Sequence, residues 1–224
     1  MRKVKASDNF QRIFKEQGFC IIPGVIPLDI VDFLSEYALL KHSVKPNVYR
    51  NADDSLADIH REYADPAMEV LLARLHSAAE SVAGASLWPT LSFYYTYRGG
   101  NVLRPHKDRA SCEIVACACL GLDSDYQRDQ GTWPIYVENL QGKAVAVHLN
   151  PGDVVFFQGA RLEHWREIFS GEWCVSAIFA YVYKEGNNAF LRYDQRKGLG
   201  YKHVGMLRWL TRFSWYRLRS ALGF

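Results

Sequence analysis

Leu103-Arg-Pro-His-Lys-Asp-Arg-Ala-Ser-Cys-Glu113 is the stretch around which the rest of the sequence is organised. A strand-like run ends there in His106 and Asp108, which one residue separates. Because side chains alternate along an extended backbone, this imidazole and this carboxylate point to the same side. Both are metal ligands, and the distant His164 would complete a two-His-one-carboxylate set of the kind that holds non-haem Fe(II). The pattern therefore predicts a metal site at His106, Asp108 and His164.

Helix signals come before this stretch, and strand signals surround and follow it. Apolar residues at helical spacing predict helices over 8–18, 27–41 and 66–82, a short apolar run predicts a strand over 19–22, and the polar stretch 43–65 is predicted to be a loop. Alternating apolar runs between turn signals predict eight short strands: 91–98, 102–106, 113–120, 132–137, 144–149, 154–158, 163–169 and 173–183. This order favours a mainly β fold with flanking helices and a double-stranded β-helix (jelly roll) core.

Composition is that of one folded domain. The chain has 224 residues, of which 49% are hydrophobic and 23% charged, so it can bury one sizeable core. The five cysteines are odd in number, contain no Cys-x-x-Cys pair and are interpreted as reduced thiols. Cys117 and Cys119 fall within a predicted strand and are expected to be packing residues. Without a signal sequence or an apolar run of about 18 residues, a cytoplasmic protein is expected.

The basic charge of the chain is concentrated in its tail. The formal net charge is +3, from 27 Lys and Arg against 24 Asp and Glu. Residues 191–224 hold eight of the basic groups and one acidic group, which leaves 19 basic and 23 acidic groups before them. We therefore divide the chain into a jelly-roll domain with N-terminal helices, residues 1–185, and a basic C-terminal extension packed on or beside it, residues 186–224. The tail could also contact an anionic membrane surface, whereas no motif predicts nucleic-acid binding.

Four stretches resemble the Fe(II)/2-oxoglutarate-dependent oxygenase family, in particular its small single-domain bacterial members. They are Tyr95-Thr-Tyr-Arg-Gly-Gly leading to His106-Lys-Asp-Arg109, then Ser111-Cys-Glu-Ile, Trp133-Pro-Ile-Tyr-Val with the later Pro151-Gly-Asp, and Gly159-Ala-Arg-Leu-Glu-His-Trp-Arg-Glu167. The resemblance implies a double-stranded β-helix that carries the triad, with Fe(II), 2-oxoglutarate and O2 as the reacting set. It also implies a hydroxylase that acts on a small-molecule or peptidyl substrate.

The sequence departs from the commonest family pattern at the residue that binds the far carboxylate of 2-oxoglutarate. Many members place an arginine about ten residues after the distal histidine, and Cys174 occupies that position here. Arg166 is the first substitute, because position i+2 shares the inward face of His164 on a strand. Arg109 is the second and Arg98 the third.

Other readings of these residues stay open. Arg166 could instead pair internally with Glu113. Tyr95 and Tyr97 alternate along the strand that leads to the site, so either could hydrogen-bond the co-substrate or simply pack in the core. The remaining histidines have no partner at metal-ligand spacing and are expected to be structural or solvated: His42, His60, His76, His148 and His203.

Two rival functions also remain. A jelly-roll binding protein without turnover would keep the fold but would not need all three ligands. A cupin-like metal-dependent dioxygenase that uses no 2-oxo acid is compatible with the missing arginine.

Overall fold

The computed structural model describes residues 8–44 and 59–195 of the chain. Helices α1 (Asp8–Gln17), α2 (Leu28–Val44) and α3 (Pro66–Ala83) come before most of the strands, and the short α4 (Ser124–Gln130) interrupts them. Helix α3 begins at the N-cap Asp65, whose side chain accepts a hydrogen bond from the Ala67 amide. It ends at Gly84, which adopts a left-handed conformation with φ 66° that glycine tolerates. Both ends therefore follow from local sequence.

In the described part of the chain, ten antiparallel strands form two sheets. The strands are β1 (Phe19–Ile22), β2 (His60–Tyr63), β3 (Leu87–Arg98), β4 (Leu103–His106), β5 (Ile114–Leu122), β6 (Ile135–Glu138), β7 (Ala144–Val147), β8 (Val154–Phe157), β9 (His164–Arg166) and β10 (Trp173–Tyr183). The larger sheet has the order β1-β8-β5-β10-β3-β2, and the smaller has the order β4-β9-β6-β7. This double-sheet arrangement with flanking helices confirms the predicted fold class.

The larger sheet separates two apolar layers. On its outer face, side chains such as Tyr94, Phe156 and Phe179 pack with residues of α2 and α3 in one buried cluster. On its inner face, side chains such as Val115 and Phe157 pack with Ile135 and Val147 of the smaller sheet. Strand β5 is buried along its whole length because both of its faces are covered. The packed part of the space between the two sheets is therefore apolar.

Three local predictions were wrong or incomplete. The stretch 43–65 was predicted to be a loop, but β2 lies within it and pairs with β3; residues 45–58 are outside the described part. Strand β3 begins at Leu87 rather than at residue 91, and Leu87 pairs with Tyr183 of β10. Helix α4 was not predicted, although Asp123 caps it by accepting from the amides of Asp125 and Tyr126.

After β10 the described chain continues along the sheets. The 3-10 segment Ala189–Gln195 contacts β3 and β10, and the Asn188 amide group donates to Glu113. The rest of the predicted basic extension, 196–224, lies outside the described residues, and so does His203. Among the helices that the structure describes, none is both long enough and apolar enough to cross a membrane.

Candidate metal centre

The pairing of β4 with β9 brings the two histidines together. His106 is the last residue of β4 and His164 the first of β9, and the register places them directly opposite each other. Opposed residues on an antiparallel pair share a face, and the two ring centroids are 4.3 Å apart. His164 is 4% exposed, whereas the side chain of His106 is 39% exposed. One imidazole is therefore buried, and the other borders the solvent.

Both imidazoles are oriented by the backbone. The Nδ1 atom of His106 lies 2.9 Å from the Arg104 carbonyl oxygen, and that of His164 lies 3.1 Å from the Leu162 carbonyl oxygen. An Nδ1–H that donates to a carbonyl leaves Nε2 deprotonated and free to bind a metal. Burial lowers the pKa of His164, although Asp108 acts in the opposite direction, so the imidazole stays neutral as metal binding requires.

Asp108 completes the group from a position beyond the end of β4. Its amide donates to the Gly159 carbonyl oxygen at 3.0 Å, which fixes the turn after the strand. Its carboxylate oxygens lie 3.7 Å from Nε2 of His106 and 3.7 Å from Nε2 of His164. Alternation along a strand predicted that the Asp108 carboxylate lies on the same side as the His106 ring, as it does. The turn after β4, rather than a continuous strand, determines where this carboxylate lies.

Gly159 leaves the space that the Asp108 carboxylate occupies. A Cβ atom at position 159 would lie 2.5 Å from Oδ2 of Asp108 and 2.5 Å from a methyl of Val115. Oδ2 is buried and has no hydrogen-bond partner among residues 8–44 and 59–195. A buried acceptor without a partner is costly, and a cation at this position would satisfy it.

The three side chains fit one metal ion. Each offers one ligand atom, and these atoms lie within 4.8 Å of one another. In residues 8–44 and 59–195, no other group of three His, Cys, Asp or Glu side chains does so. Two imidazole nitrogens and one carboxylate oxygen suit Fe(II) and similar divalent ions and leave coordination positions open. This donor set, together with the unsatisfied Oδ2, supports a metal-binding role.

A pocket of about 440 Å³, including its open side, leads to this group. Its wall combines the three candidate ligands with aliphatic and aromatic side chains, two small polar side chains and one arginine: Tyr95, Tyr97, Leu103, Val115, Cys117, Ile135, Phe157, Arg166, Ser176 and Ile178. Sequence reasoning missed Cys117 and Ser176 as lining residues. They lie on β5 and β10, where the register between strands distant in sequence places Ser176 opposite Tyr95 and Cys117 opposite Ile178.

Arg166 is the buried cation of this pocket. It is 4% exposed, its Nη1 donates to the Trp133 carbonyl oxygen at 2.8 Å, and its guanidinium carbon lies 4.6 Å from the centroid of the Trp133 ring. No ion pair with a carboxylate is found for it within the described residues. Glu113, the alternative partner left open by the sequence, instead accepts from the Tyr183 amide and from Asn188, so the structure does not contain that alternative pair.

The surroundings of Arg166 explain how a cation fits there. Burial acts to lower its pKa, but the thiols of Cys117 and Cys174 and the phenol of Tyr97 act in the opposite direction and keep the pKa above its ordinary value. Cys174, at the position where an arginine was expected, therefore lies close to the Arg166 guanidinium. The buried cation of the pocket thus lies on β9, next to the β10 position at which many members of the resembled family carry an arginine.

Tyr95 and Tyr97 lie on the inner face of β3 and line the pocket. Their rings are stacked with centroids 5.7 Å apart, and Tyr97 meets the Trp133 ring edge-on at 4.9 Å. Burial raises the pKa of both phenols, so both remain protonated hydrogen-bond donors at neutral pH.

The other arginine candidates have different surroundings. Arg109 follows the candidate ligand Asp108, but its Nη2 donates to Asp194 at 2.6 Å and it does not line the pocket. The charge of Arg98 acts on His42, which lies on α2 outside the pocket. Of the three arginines, only Arg166 reaches the pocket wall.

Comparison with known proteins yields matches at the level of structure. No protein-family model matches the sequence, and no curated protein sequence matches it. A prolyl-4-hydroxylase from Pseudomonas putida is 15% identical with a TM-score of 0.62, over 77% of this chain and 96% of its own. The α-ketoglutarate-dependent epimerase SnoN from nogalamycin biosynthesis is 18% identical with a TM-score of 0.64, over 88% and 92%.

A third structure contains both a metal and a 2-oxo acid. HygX from Streptomyces hygroscopicus, solved with nickel and 2-oxoglutarate bound, is 15% identical with a TM-score of 0.60, over 78% of this chain and 86% of its own. These matches span most of each neighbour. At such low identity they establish architecture: the chain has the jelly-roll fold of the Fe(II)/2-oxoglutarate-dependent oxygenases.

Proposed function

We propose that the protein is a non-haem Fe(II)- and 2-oxoglutarate-dependent dioxygenase that hydroxylates a small-molecule or peptidyl substrate. The proposal rests on one observation: the Asp108 carboxylate, with an unsatisfied buried oxygen, shares a pocket with the buried cation Arg166. A metal ion would satisfy the first group and an organic anion the second. A dicarboxylate bound to the metal at one end would satisfy both.

His106, Asp108 and His164 would hold Fe(II) through two Nε2 atoms and one carboxylate. Bound there with 2-oxoglutarate and O2, iron supplies oxidative decarboxylation of the 2-oxo acid coupled to oxidation of a substrate C–H bond. The two Nδ1 contacts to backbone carbonyls fix the ring orientations, and such outer contacts support metal affinity.

Arg166 would bind the distal carboxylate of 2-oxoglutarate. A guanidinium offers a planar pair of donors that matches a carboxylate, and its bond to the Trp133 carbonyl and its stacking on the Trp133 ring orient it. Tyr97, protonated and close to Arg166, would donate a further hydrogen bond. The 2-oxoglutarate in HygX shows that a protein of this fold binds the same co-substrate.

The remaining wall would limit access of water to the reacting atoms. Ile135, Phe157 and Ile178 line the pocket beside the candidate ligands, and Phe157 meets the His164 ring edge-on at 4.7 Å. Exclusion of water strengthens the electrostatic contacts inside a site and limits side reactions. This apolar wall suits a reaction that must be confined to the substrate.

Cys174 favours a second candidate, a metal-dependent dioxygenase that uses no 2-oxo acid. That position commonly carries the co-substrate arginine in the family that the sequence resembles, and a thiol cannot replace it. The structural neighbours include an epimerase as well as a hydroxylase. Which product forms from the oxidised substrate is therefore a separate question from whether 2-oxoglutarate is used.

Turnover of 2-oxoglutarate tests the proposal. The purified chain should release succinate from 2-oxoglutarate with Fe(II) and ascorbate in air, and a panel of metabolites and peptides should contain compounds that accelerate this release. Removal of O2 or chelation of the metal should stop it, as should His106→Ala. An Fe(II)-loaded protein that consumes O2 with a panel compound while 2-oxoglutarate remains unchanged would support the second candidate instead.

A further inference from the structure

Asp108 differs from the other two candidate ligands in how its side chain is held. Each imidazole has its Nδ1 atom within hydrogen-bond distance of a backbone carbonyl oxygen. Among residues 8–44 and 59–195, Oδ2 of Asp108 has no hydrogen-bond partner, and the imidazoles approach the carboxylate only to 3.7 Å, which is beyond hydrogen-bond length. The position of this carboxylate before a metal binds therefore depends on the backbone that carries it.

That backbone belongs to the Asp108 loop, residues 107–113, which joins β4 to β5. One side of the loop is held by the chain that follows β8. The Asp108 amide donates to the Gly159 carbonyl oxygen at 3.0 Å, and the Ala160 amide donates to the Cys112 carbonyl oxygen at 2.9 Å. These bonds fix the loop along one edge.

A second part of the chain holds the loop from the other side. It is the strap, residues 184–195, which follows β10. Asp194 accepts a hydrogen bond at 2.6 Å from Nη2 of Arg109, the residue next to Asp108. At the far end of the loop, Glu113 accepts from the side-chain amide of Asn188 at 2.9 Å. The strap thus contacts both ends of the segment that presents the Asp108 carboxylate.

The backbone of the strap is strained where it meets Arg109. Tyr193 and Asp194 are consecutive residues in the left-handed region, with φ of 57° and 51°. Residues other than glycine seldom adopt this conformation, and it persists where surrounding contacts hold it. Here the Tyr63 hydroxyl donates to the same Asp194 oxygen at 2.5 Å, and the side chain of Asp194 is only 14% exposed. Strained backbone that is held in this way is characteristic of functional sites.

We propose that Asp194 is a positioning residue of the candidate metal centre. Through Arg109 it fixes the Asp108 loop, so that the Asp108 carboxylate is in place before the metal binds. Outer contacts to metal ligands commonly contribute about 10–100-fold to metal affinity, and Asp194 acts through one intervening residue, so about tenfold is expected. This inference rests on the proposed function and deepens it at the metal site.

The test is a titration of the metal-free chain with Co(II), which uses the same donor types as Fe(II) and absorbs visible light when bound. Asp194→Ala should weaken Co(II) binding by about tenfold. Asp194→Asn keeps an oxygen that can accept both hydrogen bonds and should lose less affinity. Arg109→Met should also weaken Co(II) binding, because it removes the same contact.

The signs of these effects separate positioning from electrostatics. Asp194→Ala removes a negative charge and Arg109→Met removes a positive one. A field effect alone would weaken binding of a cation in the first variant and strengthen it in the second. Weaker binding in both variants, with no further loss in the double variant, is the result expected when the contact itself positions the loop.

A control and two further measurements distinguish positioning from a structural role. Asp125→Ala breaks an exposed ion pair with Arg128 on α4 and should keep wild-type Co(II) affinity. With Co(II) saturating, Asp194→Ala should bind 2-oxoglutarate as the wild type does, because Asp194 does not line the pocket. Thermal unfolding of the metal-free variants should change little, since the Arg109 side chain is 56% exposed and ion pairs of exposed side chains stabilise weakly. A merely structural role would lower the unfolding temperature and leave Co(II) affinity unchanged.

Failure of the proposed function and failure of this inference are distinguishable. A wild-type chain that takes up no Co(II) would reject both. A wild-type chain that takes up Co(II) but no 2-oxoglutarate would reject the proposed function, and the variants would still decide this inference. Once Co(II) binds, the inference is overturned by wild-type affinity in Asp194→Ala, by tighter binding in Arg109→Met, or by additive losses in the double variant.

Discussion

Loss of any one ligand of the triad should abolish Fe(II) binding and turnover while the fold persists. His106→Ala, Asp108→Ala and His164→Ala should each weaken Fe(II) binding by more than about 100-fold, since loss of an outer contact to a metal ligand alone costs roughly 10–100-fold. Asp108→Ala should also leave the metal-free protein at least as stable as the wild type, because it removes a buried acceptor that has no partner.

Anaerobic calorimetry with Fe(II) and thermal unfolding in the absence of metal measure these two effects separately. His148→Ala is the matched control, since His148 is exposed on the surface and its Nδ1 lies 2.9 Å from the Thr132 hydroxyl, away from the candidate metal site. Wild-type affinity in two of the three ligand variants would remove the basis of the enzyme proposal.

Arg166→Met should lower the affinity for 2-oxoglutarate by about 2–5 kcal/mol, the usual effect of truncating one partner of a buried charge pair. The apolar replacement leaves the buried distal carboxylate of 2-oxoglutarate without its cation. The lower affinity should therefore appear as faster dissociation of the co-substrate. Stability without 2-oxoglutarate should change little. The substitution removes the hydrogen bond to the Trp133 carbonyl oxygen and the stacking on the Trp133 ring, which lowers stability. It also removes a desolvated cation, which offsets this loss.

Arg109→Met is the control for this variant. It breaks the ion pair with Asp194 but should leave 2-oxoglutarate affinity unchanged, because Arg109 does not line the pocket. Equilibrium titration with 2-oxoglutarate under anaerobic conditions gives both dissociation constants. An Arg166→Met protein with normal stability and unchanged affinity would contradict the assignment, and a loss confined to Arg109→Met would transfer the role to that residue.

Local patterns in the sequence predicted much of the candidate site. His-x-Asp and the distant histidine indicated the three candidate ligands, which the structure brings together, by residue type and spacing. Alternation along β9 placed Arg166 on the same buried face as His164. The position of the Asp108 carboxylate could not be predicted in the same way. It depends on the Gly159 backbone about fifty residues later, which leaves the required space and binds the Asp108 amide.

Strand β2, the contacts of Asp194 and helix α4 were less predictable. Strand β2 is four residues long, contains His60, Arg61 and Glu62, and is an edge strand, so apolar alternation cannot reveal it. The Arg109–Asp194 ion pair joins residues 85 positions apart, and Asp194 lies beyond the last strand. Helix α4 was missed because seven residues without a buried side chain produce no amphipathic period.

Anaerobic spectroscopy with Fe(II) and 2-oxoglutarate tests the central claim most directly. A 2-oxo acid that chelates Fe(II) through two oxygens gives a weak visible charge-transfer band, so titration of the Fe(II)-loaded protein with 2-oxoglutarate should produce this band and saturate. The band should be absent in His164→Ala, and in Arg166→Met it should appear only at higher 2-oxoglutarate concentration. A wild-type protein that binds Fe(II) but shows no band at saturating 2-oxoglutarate would contradict the account and favour a dioxygenase that uses no 2-oxo acid.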